Sequence, residues 1–353
     1  MAKPFVSVLI DTYNHEKFIE KAITSVLEQD FPASDYEVLV VDDGSTDRTP
    51  ELVKKFAPRV TYLPKQNGGQ ASAFNFGIPR CRGEIVTFLD GDDWWEPNKL
   101  ATVISAFEYH PEIGTIGHGL YEVDESGKRL YSNIPARVYS CRLDTREEAL
   151  AFAGLLSFLG TSRLAVRRSV LDRVLPVSET LLADLSLAAV AVAVSGAIIL
   201  DQPLTNYRLH SANVYQFAEY DVVRMRQKLA GFQSFIHSLP RRLAEWNVPA
   251  EVAEVLLYAT RIDAERLQLA LGQGWPWDSV RVERAAMRQA YKDSSFGYRV
   301  FHAAVLAVAA VTPPKLFYRL RHWYSARGIA RVRDRVGAPV PRDSLVIRKP
   351  QGR

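Results

Sequence analysis

The sequence contains too little cysteine for a disulfide scaffold or a thiolate metal centre. Its 353 residues include only Cys81 and Cys141. Charged residues make up 24% of the chain and hydrophobic residues 47%, so the composition excludes disordered and low-complexity proteins. The length is typical of one large α/β domain with an appendage.

Long hydrophobic runs and targeting signals are also missing. Two uncharged runs, residues 185–200 and 300–314, are shorter than the roughly 20 apolar residues that a membrane-spanning helix needs. The first run predicts a buried helix and a buried strand that are separated at Ser195-Gly196. The N-terminus lacks the apolar core and cleavage site of a signal peptide, so we expect a cytoplasmic protein.

The two commonest glycine-rich phosphate-binding motifs are absent. No Gly-x-x-x-x-Gly-Lys-Ser/Thr occurs, and Asp11-Thr12-Tyr13-Asn14 stands after the first predicted strand, where a Gly-x-Gly-x-x-Gly would lie. A nucleotide bound to this protein would therefore have its phosphates held by a metal ion rather than by a glycine loop.

The net charge of +4 is distributed unevenly along the chain. Residues 311–353 contain eleven basic and two acidic residues, a net charge of +9, so the first 310 residues carry −5. An acidic body with a basic tail has different partners from those of a uniformly basic protein. Because the body is acidic and no recognition motif is present, we expect no nucleic-acid partner.

The first half of the sequence alternates between strand and helix patterns. Residues 5–10, 37–41, 60–63 and 84–89 are short β-rich apolar runs, and helical patterns follow each of the first three. This alternation predicts βαβ units and a mainly parallel sheet. From about residue 219 the pattern is mostly helical, which predicts two parts, residues 1–218 and 219–353.

Polar side chains follow three of the predicted strands. They are Asp11 to Asn14, Asp42-Asp43 and Asp90-Gly91-Asp92-Asp93. Ligands of open α/β sheets bind outside the carboxyl ends of the strands, so these residues predict one shared crevice. Carboxylates in such a turn suit Mg²⁺ or Mn²⁺, which bind through one or two carboxylates and the phosphates of a substrate.

These segments resemble the family 2 glycosyltransferases. The resemblance rests on residues 6–14, on Val40 to Asp47, on Asn67-Gly68-Gly69 and on Phe88 to Asp93. Their order and spacing agree with the family over about residues 4–215. The resemblance implies the GT-A fold, an α/β sandwich that binds nucleotide sugars, followed here by a helical C-terminal extension.

The resemblance also implies roles for individual residues. Asp92 would ligate the metal, with Asp90 near the ribose and the metal, and His210 is a candidate third contact with the metal or the diphosphate. Asp184, at the head of a helix, would be the general base. The nucleotide-sugar pocket would include Thr12, Tyr13, Asn14, Asp43, Gly69, Asn75, Asp90 and Gly91, with Asp43 on the base.

The sequence departs from the family pattern at two positions. Ala183 replaces the Glu that often precedes the catalytic Asp, and Phe74 stands where many members have Arg. Of the adjacent Trp94 and Trp95, we expect one to stack on an acceptor sugar and the other to fill the space between sheet and helix.

The last third of the chain predicts a membrane contact. An apolar helix at residues 296–311 is followed by Pro313-Pro314 and then by aromatic residues interleaved with cations at 315–324. Such a segment fits peripheral binding to an anionic lipid surface, here the inner face of the plasma membrane. The alternative is a helix that packs on the body and exposes a basic face.

The predicted function is metal-dependent, inverting transfer of a sugar from a nucleotide-diphosphate donor to a hydroxyl of a glycan or lipid-linked acceptor. This reaction belongs to polysaccharide or glycoconjugate synthesis at the cell surface. Two alternatives remain open at this point: a sugar-phosphate nucleotidyltransferase, and a non-catalytic, membrane-associated sugar-binding scaffold.

Overall fold

A computed structural model describes residues 5–178, 182–210, 221–290 and 296–321. These residues form two compact units. The first, the sheet unit, comprises described residues up to 210 together with 238–255, and the second, the helical unit, comprises 221–237 and the described residues from 256 onward. The predicted boundary at 218–219 lies outside the described residues.

The described residues contain ten strands, which belong to one sheet. The strands are β1 (Val6–Thr12), β2 (Tyr36–Asp42), β3 (Thr61–Pro64), β4 (Ile85–Asp90), β5 (Trp94–Trp95), β6 (Thr115–Val123), β7 (Arg129–Asn133), β8 (Tyr139–Cys141), β9 (Ala165–Arg167) and β10 (Ala197–Arg208). Their order is β3-β2-β1-β4-β9-β6-β10-β5, with β7 on β6 and β8 on β10. All seven residues of β1 are buried, as expected for a central parallel strand.

The α-helices lie in both units. They are α1 (Ile19–Leu27), α2 (Thr49–Lys54), α3 (Gln70–Gly77), α4 (Lys99–Tyr109), α5 (Arg146–Ala153), α6 (Arg168–Val174), α7 (Ala183–Ser195), α8 (Val222–Ala244), α9 (Ala250–Ala270), α10 (Pro276–Ala290) and α11 (Phe296–Val311). Ile19, Ala22, Ile23 and Val26 form the buried face of α1 and join Val8 and Ile10 of β1 in the main core.

The prediction of parallel βαβ units is confirmed for β1 to β4. In this half β1 pairs in parallel with β2 and β4, and β2 pairs in parallel with β3. In the other half β9 runs antiparallel to both β4 and β6, so the sheet is mixed. β10 extends beyond the predicted end at Leu200 to Arg208, because register shifts around Pro203 let the strand continue past a residue without an amide hydrogen.

The helical unit has its own hydrophobic core. Its buried residues come from α8, α9, α10, α11 and the helical segment 314–321, and include Met225, Ile262, Val280, Ala309 and Phe317. The helix α10 was not predicted. None of the helices in the described part of the chain is both long enough and apolar enough to cross a membrane.

Candidate active site

The fold brings the three polar strand ends together at one edge of the sheet. β1 lies between β2 and β4, and the register places Thr12 beside Asp42 and Asp11 beside Asp90. The backbone continues this arrangement beyond the strands, since Asp43 N donates to Thr12 O and Gly91 N donates to Asp11 O, each at 2.9 Å. The predicted shared crevice is therefore a property of the strand order.

Asp43 holds the loop that precedes α3. Its carboxylate accepts a hydrogen bond from the backbone of Gly69 at 2.6 Å and longer ones from Gly68, and Lys65 Nζ lies 2.5 Å from Oδ1. Gly69 adopts a positive φ of 82° at the start of α3, and a Cβ built there would have no neighbour within 4 Å. The structure therefore places open space beside Gly69, next to a buried carboxylate.

Tyr13 and Asn14 lie in the loop after β1, and their side chains have different environments. Tyr13 is exposed. Asn14 has a φ of 55°, and its Oδ1 accepts a hydrogen bond from Thr46 N at 2.8 Å. Asn14 N donates to Ser45 Oγ at 2.9 Å. Asn14 thus ties the loop after β1 to the loop after β2.

Gln70 and Ser162 connect the buried carboxylates of the crevice. Gln70 Nε2 lies 3.2 Å from Asp11 Oδ2 and 2.9 Å from Asp90 Oδ1. Ser162 Oγ accepts from Asp90 N at 3.1 Å and lies 2.6 Å from Asp93 Oδ2. Gln70 is the first residue of α3 and Ser162 lies in a short helical turn at residues 161–163, and neither was predicted as a site residue.

The carboxylates are crowded enough to disfavour their ionised forms. Burial and then the charge of Asp11 raise the pKa of Asp90 well above its ordinary value. Burial, aided by the charge of Asp92, raises the pKa of Asp11 from 3.8 to about 7. Asp11 Oδ1 is buried and has no hydrogen-bond partner in the described structure. Uncompensated negative charge of this kind favours a bound cation.

Asp92 is clamped between two histidines. Its Oδ2 lies 3.0 Å from His210 Nε2 and 3.7 Å from His15 Nε2. Burial alone would raise the pKa of Asp92, but His15 and His210 together hold this pKa below its ordinary value. Asp92 is therefore the carboxylate of this cluster whose surroundings most favour the charged form. His15 is a further contact that the sequence did not indicate.

The neighbouring Asp93 is occupied by structural hydrogen bonds. Its Oδ1 accepts from Arg208 N at 2.8 Å, and its Oδ2 contacts Ser162 Oγ. Gly91 is packed so closely that a Cβ would lie 2.6 Å from Thr12 Oγ1 and 2.8 Å from His15 Nδ1. A glycine is thus required where the loop after β4 passes the end of β1.

The described residues contain no group of three or more His, Cys, Asp and Glu side chains arranged to hold a metal ion. Mg²⁺ and Mn²⁺ do not require such a group, because one or two carboxylates suffice when substrate phosphates supply the other oxygen ligands. The ionised Asp92 and the orphaned oxygen of Asp11 beside Asp90 fit this oxygen-rich pattern. The donor set therefore suits a hard divalent cation.

Asp184 lies in the first turn of α7, next to a buried cation. Its Oδ1 accepts from Leu185 N at 2.7 Å. A Cβ built on Gly160 would lie 3.7 Å from Asp184 Oδ2 and 3.1 Å from Arg163 Nη2, so both side chains border the same small space. Burial raises the pKa of Asp184, and the charge of Arg163 counteracts this effect.

Arg163 provides a cation at this site, whereas position 74 does not. Phe74 is fully buried and its ring packs 5.2 Å from that of Phe88, so this position belongs to the core. Arg163 Nη1 is buried without a hydrogen-bond partner in the part of the chain that the structure describes. A buried donor without a partner costs free energy. Arg163 Nη1, which lies near the Asp184 carboxylate, is therefore positioned to donate a hydrogen bond to a bound ligand.

Asn75 and the tryptophan pair have mainly structural contacts. The Asn75 amide donates to Val177 O at 2.9 Å and accepts from Val177 N at 2.7 Å, so both of its functional atoms bind backbone. Trp95 is buried and its Nε1 donates to Ser162 O at 3.2 Å. The Trp94 ring lies 3.5 Å from Lys21 Nζ and 4.6 Å from Arg208 Cζ.

Comparisons with known proteins identify the family. Residues 7–175 match the glycosyl transferase family 2. An uncharacterised glycosyltransferase of Nostoc sp. is 31% identical over 220 residues, which cover 60% of this chain and 67% of that protein. The uncharacterised glycosyltransferase EpsJ of Bacillus subtilis is 34% identical over 148 residues, 41% of each chain, so the match spans less than half of that relative.

Solved structures share the fold. Staphylococcus aureus TarS 1–349, solved with UDP, has a TM-score of 0.54 at 18% identity and covers 92% of both chains. The mannosyltransferase PcManGT from Pyrobaculum calidifontis, solved with GDP-Man and Mn²⁺, has a TM-score of 0.52 at 22% identity and covers 95% of this chain and 88% of its own. These similarities confirm the GT-A-type α/β fold, and the sequence matches show that this chain belongs to glycosyltransferase family 2.

Proposed function

We propose that this protein is a metal-dependent, inverting glycosyltransferase. It moves a sugar from a nucleotide-diphosphate donor to a hydroxyl of a glycan or lipid-linked acceptor. The observation that carries this proposal is the position of Asp92, whose carboxylate lies within 3.0 Å of His210 and 3.7 Å of His15 at the carboxyl edge of the sheet. TarS and PcManGT, whose fold this chain shares, were solved with a nucleotide and a nucleotide sugar respectively.

The donor pocket is proposed to lie along the ends of β1, β2 and β4. Thr12, Tyr13 and Asn14 line its nucleoside side, and the open space at Gly69 next to Asp43 accommodates the base. Gly91 supports this pocket by letting Thr12 and His15 pack closely against the loop after β4. Asn75 is proposed to support this pocket indirectly, because it anchors Val177, seven residues before Asp184.

A divalent cation, Mg²⁺ or Mn²⁺, would be held by Asp90 and Asp92, with His210 as a third contact with the ion or the diphosphate. Such an ion neutralises the charge that develops on the departing nucleoside diphosphate. The contacts with His15 and His210 lower the pKa of Asp92, which favours the charged form that this role requires. Gln70 fixes the orientation of Asp90 by donating to its Oδ1.

Asp184 is the proposed general base. It would take the proton from the acceptor hydroxyl, whose oxygen then attacks the anomeric carbon from the face opposite the diphosphate. The bond between that carbon and the diphosphate oxygen breaks, which inverts the anomeric configuration. Arg163 supports this role because its charge favours ionised Asp184. Of the pair Trp94 and Trp95, Trp94 is the less buried, and it is the candidate for stacking on the acceptor.

The test combines nucleotide binding with turnover. Thermal shifts with UDP, GDP and their sugars, with and without Mn²⁺, should reveal a metal-dependent stabilisation by one nucleotide. Asp92→Asn should abolish both this stabilisation and turnover, whereas Asp184→Asn should stop turnover and preserve the stabilisation. Asp201→Asn, an exposed control on β10, should change neither.

Three outcomes would contradict the proposal. Full activity of the Asp92→Asn variant would refute the metal site. Metal-dependent nucleotide binding without hydrolysis or transfer of any donor sugar would instead identify a sugar-binding scaffold. A product that contains pyrophosphate would identify a nucleotidyltransferase, although Asp11 to Asn14 lack the glycine-rich loop expected of one.

We also propose that the protein acts at the inner face of the plasma membrane, where lipid-linked acceptors are accessible. Part of the predicted membrane segment contradicts its predicted role, because Phe317 and Tyr318 are buried in the core of the helical unit. Tyr318 donates to Glu283 Oε1 at 3.1 Å. Residues 322–353, which contain most of the basic tail, lie outside the described residues.

A further inference from the structure

The helical unit exposes an apolar helix face. On α11, Val300, Ala304, Val308 and Val311 are exposed and recur with helical spacing, so they form one stripe. Val311 is the most exposed, at 82%. A stripe of this kind on a water-facing helix is unfavourable, and contiguous exposed apolar surface usually marks a contact site.

The opposite side of α11 contributes to the core of the helical unit, so the exposed stripe is a separate apolar face. Ala309 on α11 is fully buried, and Phe317 and Tyr318 are buried in the following segment, residues 314–321. Leu316 and Leu320 of this segment point outward and are about half exposed. The core of the unit is therefore filled by one face while a second apolar face remains at the surface.

Two exposed tryptophans adjoin this surface. Trp275, in the turn between α9 and α10, is 78% exposed, and Trp277, in the first turn of α10, is 71% exposed. A Cβ on Gly272 in this turn would lie 3.8 Å from Lys315 Cδ, so the turn abuts the start of segment 314–321. Exposed tryptophan is costly in water but favourable at a lipid–water interface, where its ring is half apolar and its N–H can be hydrated.

The charge of this surface is mainly positive, and Asp278, whose Oδ2 accepts a hydrogen bond from Trp275 N at 2.8 Å, is an acidic residue beside the tryptophans. Residues 296–321 contain Arg299, Lys315, Arg319 and Arg321 and no acidic residue. Arg321 pairs with the buried Glu283, whereas Lys315 and Arg319 are exposed. Cations beside an apolar stripe and tryptophans match the anionic headgroups and acyl chains of a bilayer.

We propose that this surface docks on an anionic lipid bilayer. Its apolar contacts are Trp275, Trp277, Val308, Val311, Leu316 and Leu320, here called the lipid face, and its cations are Lys315 and Arg319. The proposal deepens the proposed membrane location and is independent of the chemistry at Asp92. It replaces the predicted contact through Phe317 and Tyr318 with side chains that are exposed.

Electrostatics disfavours two other occupants of the lipid face. A second copy of the chain would bring Lys315 and Arg319 toward the same cations of its partner. The chain's own residues 322–353 contain eight basic and two acidic residues, so they carry the same sign as this surface. An anionic bilayer supplies both the opposite charge and the apolar phase.

The experiment uses the full chain and vesicles of phosphatidylcholine with or without phosphatidylglycerol. Co-sedimentation should show binding that requires phosphatidylglycerol and weakens with salt. Trp275→Ala combined with Trp277→Ala, and separately Val311→Asp combined with Leu316→Asp, should weaken binding at least about tenfold. Tyr109→Asp, which changes an exposed aromatic residue on α4, should bind as the unchanged protein does.

The readouts separate this proposal from the proposed function. Metal-dependent stabilisation by nucleotide should be the same in all the lipid-face variants, which also shows that they fold. Equal sedimentation of the variants and the unchanged protein would overturn the proposal. A lipid-independent dimer that the variants dissociate would overturn it too, in favour of a second copy on this face.

Discussion

Replacing Asp11 by Asn should stabilise the ligand-free protein at alkaline pH. Asp11 is 9% exposed, and its Oδ1 has no hydrogen-bond partner in the described structure. Its Oδ2 accepts a hydrogen bond from Gln70 Nε2 at 3.2 Å. Burial and the charge of Asp92 raise the pKa of Asp11 from 3.8 to about 7. The site therefore carries a carboxylate that the apo fold disfavours, and Asn has nearly the same shape without the charge.

The sign and size of the effect follow from the two pKa values. Below pH 3.8 Asp11 is protonated in both the folded and unfolded states and contributes nothing. Between pH 3.8 and about 7 the unfolded chain releases the proton first, so the folded state loses stability as the pH rises. Above pH 7 the full penalty applies, at most about 4 kcal/mol at 1.36 kcal/mol per pH unit.

The assay is thermal unfolding at several pH values without metal. At pH 8 the Asp11→Asn variant should melt roughly 4–8 °C above the unchanged protein, and the difference should vanish near pH 4. Mn²⁺ with nucleotide should reduce the gain, because the cation neutralises the same charge. A gain that is equal at both pH values, or no gain at pH 8, would refute this account of the carboxylate cluster.

Asp47→Asn is the matched control for this measurement. Asp47 accepts hydrogen bonds from Glu16 N at 3.0 Å and Thr49 N at 2.9 Å. Burial opposes these bonds, but they hold the pKa of Asp47 below its ordinary value. The folded state therefore favours the charged form, so removing this charge should destabilise the protein at pH 8, and the loss should disappear at acid pH.

Three further substitutions test separate parts of the structure. Arg163→Gln removes the charge that lowers the pKa of the proposed base, so the acid limb of the kcat/KM profile should move to higher pH; an unmoved limb would contradict this role. Glu283→Gln should destabilise the helical unit by about 3–5 kcal/mol in chemical denaturation, because Glu283 is buried against two arginines. In the same assay the control Glu265→Gln, which removes an exposed ion pair, should cost about 0–1 kcal/mol. Gly83→Ala should cost about 1–3 kcal/mol, since its Cβ would lie 2.4 Å from the backbone of β1, and Gly154→Ala, with no neighbour within 4 Å, should not.

Sequence patterns located the elements that are stabilised by local interactions. The first four strands were predicted to within about two residues because they are apolar, β-rich and bounded by polar turns. Their alternation with helices also predicted that Asp11, Asp43 and Asp90 would meet at one edge. The predicted roles of these residues remain predictions that the substitutions above would test.

Elements that depend on distant partners were predicted less well. β5 is only two residues long and exists because Trp94 and Trp95 pair with Asn206 and Thr205 of β10. β10 runs on through Pro203 because its pairing with β6 shifts register there. Neither effect has a signal in local hydrophobic periodicity, which reports only on residues a few positions apart.

The sequence alone determined the family, the βαβ order and the placement of carboxylates after buried strands, because each of these is encoded by neighbouring residues. Tertiary structure decided in which direction the pKa of each of those carboxylates shifts. His210 reaches Asp92 across 118 residues, and Arg163 comes to Asp184 through the loop at Gly160. It also decided which apolar residues of the last helices remain at the surface. A pKa and an exposed face depend on everything packed around a group, and only the folded chain supplies those neighbours.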